Sequence, residues 1–238
     1  MNKVAIMGYG EVGRALATFF DEPYVEDPEL CMTIPEQTED IVDVLHVCLP
    51  YGKGFEEEVI DLALALNVKL TIIHSTVPVG TTQLIGKSVP AVHSPVRGKH
   101  PDLSKDLAVF EKAIGADDVG LGDLAFKNLE RVGIPCRVIK GSRTTELAKL
   151  LDTAYYGVCI AFHQYAYELC AREAAEFNEV MSYYNTTYNE GLRRLGKWHA
   201  IRPVLFPPAG PIEGHCVVQN AEILRKLYGE DSILERVR

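Results

Sequence analysis

No excess of basic charge is present in this chain: 24 lysines and arginines stand against 33 aspartates and glutamates, a formal net charge of −9. Without a basic stripe to neutralise phosphates, the chain is not expected to bind nucleic acid. Short basic runs such as Arg193-Arg194 read as solvated surface. No C-x-x-C pair occurs among Cys31, Cys48, Cys136, Cys159, Cys170 and Cys216, so neither a metal knuckle nor a thioredoxin-like motif is expected. Several of these cysteines lie in apolar runs, where free Cys acts as a small hydrophobe. No apolar run reaches the roughly 20 residues of a membrane-spanning helix. No signal-peptide pattern precedes the first strand, and the expected compartment is a reducing cytoplasm. Internal repeats and low-complexity tracts are also missing.

What is there begins at once. Lys3-Val4-Ala5-Ile6-Met7 reads as a buried strand, and Gly8, Gly10 and Gly13 follow at the G-x-G-x-x-G spacing. Arg14 to Phe20 then reads as a helix. Strand, glycine turn and helix make a dinucleotide-binding fingerprint. Gly8 permits the tight turn, Gly10 lets backbone approach a pyrophosphate, and Gly13 lets helix and strand pack closely. Tyr9, Glu11 and Val12 complete this cofactor-binding turn. The fingerprint calls for an acid about 20 residues on, to hold the ribose hydroxyls, and Glu26 and Asp27 supply two candidates. Asp27 and Glu26 favour NAD, since an acid there repels a 2′-phosphate.

The segments Val42–Leu49, Val68–His74, Val89–His93, Val109–Gly115 and Ile134–Ile139 read as strands. They alternate with helices at Gly52–Asn67 and Asp118–Val132. This is the pattern of an α/β protein with a doubly wound parallel sheet. Near Gly141 the pattern changes. From Thr144 to about Phe177 apolar residues recur at helical spacing on two sides, predicting one long helix buried on both. Further helices are expected over Asn178–Leu195 and Val217–Tyr228. The expected organisation is a Rossmann domain over residues 1–141 and an all-α substrate and dimerisation domain over 142–238.

Four segments in order resemble one family: Gly8 to Gly13, Ser75-Thr76-Val77-Pro78-Val79-Gly80-Thr81-Thr82, Thr145-Glu146-Leu147-Ala148-Lys149-Leu150, and Gly210-Pro211-Ile212-Glu213-Gly214-His215-Cys216. Together they look like the N-terminal and central domains of the UDP-glucose/GDP-mannose dehydrogenase superfamily. The resemblance implies NAD as cofactor, a homodimer, and oxidation of a sugar alcohol to a carboxylate through a cysteine thioester. It matches Cys216 to the nucleophile, Lys149 to the lysine that stabilises oxyanions, and Thr76 to the threonine beside the nicotinamide. Leu49, Pro50 and Ser75 match the strand ends that line the cofactor.

The departures are specific. Thr153 replaces the family's asparagine one turn after the lysine. Val96 stands in Ser94-Pro95-Val96 where sugar oxidases commonly carry a glutamate. Val217-Val218-Gln219-Asn220 lacks the charges of the family's P-K-D segment, and no segment resembling the C-terminal nucleotide-binding domain appears. Arg97, Lys99 and His100 are basic groups suited to another anionic substrate.

Each assignment has a plainer competitor. Cys216 could be a packed core thiol, Lys149 a surface lysine paired with Glu146 or Asp152, and Thr76 a helix N-cap. His46 reads as a core histidine. The spacing of His74, His93 and His100 matches no helical metal-ligand pair, so no metal is expected. The resulting expectation is an NAD-dependent dehydrogenase acting on a small or anionic alcohol, a sugar derivative included, with Lys149 as main polar catalyst and Thr76, Thr153 and Cys216 in support. The alternative is a degenerate homologue that binds NAD(H) as a sensor or assembly partner.

Overall fold

The computed structural model describes residues 3–34, 42–98, 103–207, 210 and 215–229, without the side chains of His215 and Cys216. The chain forms two compact units, Met1–Lys149 and Leu150–Arg238.

The first unit is a seven-stranded sheet. Its strands are β1 (Lys3–Met7), β2 (Tyr24–Glu26), β3 (Val42–Val47), β4 (Leu70–Ile73), β5 (Ala91–His93), β6 (Lys112–Ala116) and β7 (Cys136–Lys140). Their order is β2-β1-β3-β4-β5-β6-β7. Helices α1 (Glu11–Ala17), α2 (Phe55–Ala65), α3 (Thr81–Ile85), α4 (Leu103–Val109) and α5 (Val119–Arg131) connect them. Alternation along the strands sorts the core into two layers. Val4, Val44, Ile72, Val92 and Ile114 pack with Leu16 of α1, Leu107 of α4 and Leu129 of α5. Ala5, Leu45, Val47 and Ile73 pack with Phe55 and Val59 of α2 and Ile85 of α3.

This is the doubly wound α/β sheet that the sequence predicts, with one difference. Strands β1 to β5 are parallel, but β6 runs antiparallel to β5, pairing His93 with Gly115, and β7 is parallel to β6. The reason lies in the connection. The only helix described between β5 and β6 is α4, whose seven residues span about 10 Å. The chain therefore re-enters the sheet from the end at which β5 left it. Val109, expected to open β6, is instead the exposed last residue of α4.

Helix α6 (Ser142–Arg172) begins in the first unit and runs into the second, which also contains α7 (Tyr184–Arg194) and α8 (His215–Tyr228). Ala161 of α6 packs with Val217 and Ala221 of α8, and Ala166 and Cys170 pack with Phe177. The long helix stops before the Phe177 expected from periodicity. Ala174 takes a left-handed φ of 52°, and the Ala175 amide donates to Cys170 O at 2.9 Å. This is a Schellman-type stop with alanine where glycine is usual, so no glycine marks it in the sequence. Likewise, the helix expected from Asn178 opens as a π-helical turn over Asn178–Tyr183.

Candidate active site

The sheet reverses its winding between β1 and β3, where β2 lies on one side of β1 and β3 on the other. Ligands of open α/β sheets bind at the carboxyl edge of such a switch point, and the glycine turn sits there. Gly8 has φ 91°, and a Cβ on it would lie 3.0 Å from Cys48 C and Leu49 N. A Cβ on Gly13 would lie 2.0 Å from Gly8 O, so only glycine lets α1 pack on the turn. Gly10 is different: among the described residues a Cβ there would meet nothing within 4 Å, and the residue is exposed. The turn is thus closed on its protein side and open at Gly10, a shape that fits a dinucleotide pyrophosphate. Tyr9 is braced by Arg14, whose Nε donates to Tyr9 O at 2.8 Å. Glu11 is exposed, and Val12 packs on the core.

The two candidate acids divide their roles. Glu26 accepts from the Ile34 amide at 2.8 Å and so orders the chain after β2. Asp27 accepts from the Tyr9 amide at 2.6 Å and the Leu30 amide at 3.1 Å. Asp27 is therefore the acid beside the glycine turn. A carboxylate has about four lone-pair sites, so two amides leave room for ribose hydroxyls.

Leu49 is half-buried against Gly8, and Pro50 is exposed at the same edge. Ser75 is buried, with its hydroxyl donating to Val47 O at 3.4 Å, and Thr76 is half-buried beside it. The sequence contains no visible reason for the S-T-V-P-V-G-T-T and T-E-L-A-K segments to be neighbours; the structure supplies one. Glu146, fully buried, accepts from the Gly80 amide at 2.6 Å and the Thr82 amide at 2.8 Å. It thereby satisfies free N–H groups at the start of α3. Next to it, Thr145 Oγ1 lies 2.8 Å from His93 Nδ1. Both Glu146 oxygens are thus engaged by backbone. Lys149, half-buried one turn on, donates from Nζ to Val96 O at 3.0 Å. Thr153 is half-buried a further turn along, in the second unit.

Behind this edge lies a polar layer, of which the sequence marked only His46 as a core residue. Residues sharing strand parity with the core now carry polar side chains: His46 after Val44, His74 after Ile72, Ser94 after Val92, and Lys112 before Ile114. His46 Nδ1 is 2.9 Å from His74 Nε2, and His74 Nδ1 is 2.9 Å from Ser94 O. Lys112 Nζ also donates to Ser94 O, and to Pro95 O at 2.9 Å. The carbonyl fixes the tautomers. Since Ser94 O can only accept, His74 carries its proton on Nδ1; its bare Nε2 then accepts from His46 Nδ1–H. Asn128 of α5 sits beside His46 Nε2. Neither that nitrogen nor Asn128 Oδ1 has a hydrogen-bond partner among the described residues. A bare Nε2 calls for the Asn128 amide nitrogen opposite it.

Burial keeps the histidines behind this edge uncharged and weakens the lysine as a base. It lowers His46 and His93 to about 3 and His74 well below its ordinary value. Burial, with help from nearby Lys149, brings Lys112 down to about 7. It pushes the Cys48 thiol up to about 12, which leaves it unreactive. The signal for Lys112 was its parity with Ile114, hidden by reading the strand from Val109. No group of three or more His, Cys, Asp or Glu among the described residues is placed to hold a metal ion. No helix among them is long and apolar enough to cross a membrane. Cys216 falls in the first turn of α8, but its side chain, Lys99 and His100 lie outside the described residues, as does 211–214 of the cysteine segment.

Strand order, glycine turn and switch-point acid define a chain of the Rossmann dinucleotide-fold class. No protein-family model matches it. In sequence it is similar to UDP-N-acetyl-D-mannosamine dehydrogenase of Methanocaldococcus jannaschii, 27% identical over 157 residues; the match covers 63% of this chain and 34% of the relative. The chain thus spans about a third of the length of that curated relative. In fold it resembles UDP-D-ManNAc dehydrogenase of Pyrococcus horikoshii, with a TM-score of 0.78, 20% identity, and coverage of 99% of this chain and 68% of the other. It also resembles Mycobacterium tuberculosis 3-hydroxyisobutyrate dehydrogenase, with a TM-score of 0.71, 14% identity, and coverage of 100% and 91%. The resemblance to the UDP-glucose/GDP-mannose dehydrogenase superfamily thus holds in both sequence and fold.

Proposed function

We propose that the protein is an NAD-dependent dehydrogenase that oxidises the alcohol of a small, anionic or sugar-derived substrate. The observation that carries this reading is the glycine turn: closed where Gly8 and Gly13 touch protein, open at Gly10, with Asp27 bonded to the Tyr9 amide. Gly8 to Gly13 would hold the pyrophosphate and Asp27 the adenosine ribose, and an acid at that place favours NAD over NADP. Leu49, Pro50, Ser75 and Thr76 would line the nicotinamide end. The nicotinamide supplies the hydride acceptor when bound.

The chain's own residues supply the rest. Lys149 takes the hydroxyl proton as the carbon–hydrogen bond breaks, a role suited to a partly desolvated amine. Its bond to Val96 O aims it. Thr76 and Thr153 orient the substrate. Cys216 would enter only where oxidation continues to an acid: its thiol would add to the aldehyde carbon, a second equivalent of NAD would supply the acceptor for the hydride of the resulting thiohemiacetal while a base takes its hydroxyl proton, and water would cleave the thioester to the carboxylate and the free thiol. The working form is a homodimer.

The test is direct. Incubation with NAD and a panel of nucleotide-sugars, sugar phosphates and hydroxyacids should yield NADH with a member of one class. Lys149→Ala should lower turnover at least about 100-fold while leaving NADH binding intact. Normal turnover by the variant removes Lys149 from the chemistry. NADH binding without turnover on any substrate would leave the binding-only homologue as the correct reading.

A further inference from the structure

We propose that Lys112 is a positioning residue for this site: it holds the Ser94-Pro95-Val96 strand end jointly with Lys149, and its charge sets the reactivity of the Lys149 amine. The inference rests on the dehydrogenase reading for the role of Lys149, but not for the coupling between the two lysines.

The geometry is specific. Lys112 is 2% exposed, so it cannot touch substrate. Because β6 runs antiparallel to β5, its first residue arrives at the carboxyl end of β5, where a parallel strand would have placed its last. There the Lys112 ammonium is bonded to the carbonyls of Ser94 and Pro95, and the Lys149 ammonium to the next carbonyl, that of Val96. Two lysines from different elements thus grip three consecutive peptide oxygens. Val96 is the position at which the resembled sugar oxidases commonly carry a glutamate, and Val96 itself is buried. The segment here is held by its backbone.

The groups facing Lys112 are Cys48 at the end of β3, His74 at the end of β4, Cys136 on β7 and Lys149 on α6, with His46 further along the same layer and His93 on the opposite face of β5. The carboxylate next to it in sequence, Glu111, is exposed and paired with Arg137. Among the described residues no carboxylate is among the charges acting on Lys112; the nearby cation, Lys149, acts to lower its proton affinity. That repulsion is mutual. A protonated Lys112 favours the free-base form of Lys149, which is the form a proton acceptor needs. With Lys112 titrating at about 7, the effect is present below neutrality and fades above it.

The experiment needs no substrate. The rate at which acetic anhydride modifies Lys149 is followed by peptide mass spectrometry in wild type, Lys112→Met and Lys112→Arg. Thermal melts and NADH fluorescence confirm that each variant folds and binds. At pH 6, Lys112→Met should slow Lys149 modification by about three- to tenfold relative to wild type, while Lys112→Arg keeps it fast. At pH 9, wild type and Lys112→Met should react alike, and Lys112→Arg should be faster than both, because arginine remains charged. Equal rates for all three proteins at both pH values would overturn the inference, as would a Lys112→Met effect of the same size at pH 6 and pH 9, which marks a purely structural lysine. A wild type that binds no NADH but follows the labelling pattern contradicts the dehydrogenase reading alone.

Discussion

Four buried bases bear on how folding responds to pH. His46 and His93 sit at about 3 in the folded chain and His74 well below its ordinary value, so the unfolded chain binds more protons than the folded one from about pH 6.5 downward. Stability is fully present above that value and falls as pH drops toward 3, by up to about 1.4 kcal/mol per pH unit for each histidine. Lys112 works in the same direction in another window. Its affinity is lowered to about 7, so between about 7 and 10.5 the unfolded chain again holds the extra proton and stability rises with pH. Urea midpoints at pH 4, 7 and 9 should therefore increase in that order, and Lys112→Met should flatten the step from 7 to 9. A midpoint that falls between pH 7 and 9 would refute the lowered proton affinity of Lys112. At this scale the sequence revealed Gly8, Gly10 and Gly13 as candidates because each fills a slot in a spaced motif, and Lys149 through the family resemblance. Lys112 and Glu146 were illegible as functional groups because their partners are backbone atoms 17 and 66 residues away in the chain.

Helix α6 joins the two units in sequence and has two kinds of surface. Leu150, Ala154, Ala161, Ala166 and Cys170 are buried within the chain, whereas Leu151, Tyr155, Tyr156, Phe162 and Tyr165 are exposed. Periodicity correctly indicated a long apolar helix, but it could not separate the residues covered by this chain from those left open, since both sets are apolar. An exposed aromatic row of this kind fits the proposed homodimer. Light scattering after size exclusion should give about twice the 26.4 kDa chain mass, and Tyr155→Glu with Phe162→Glu should shift it to the monomer. A wild-type monomer at micromolar concentration contradicts the dimer. The end of α6 was less legible than its start. Sequence patterns mark a helix stop through glycine, and here Ala174 adopts the left-handed turn instead, at a cost of about 1 kcal/mol.

For the molecule as a whole, strand order does the organising. Placing β2 and β3 on opposite sides of β1 opens the crevice above the glycine turn, and the reversed β6 brings a lysine to the same edge. The first of these was readable from alternation of strand and helix; the second was not, because a short α4 and the direction of re-entry leave no periodic signature. The central claim is that this crevice holds a dinucleotide at Gly8 to Gly13. Gly10 offers the cleanest probe, since its φ of −70° suits any residue and a Cβ there meets no atom of the described residues within 4 Å. Gly10→Leu should leave the fold intact while filling the space meant for the pyrophosphate. Titrating NADH and following its fluorescence should give saturable binding to wild type, weakened at least about tenfold in Gly10→Leu. Absence of saturable binding to wild type, or identical titrations for the two proteins, would contradict the account.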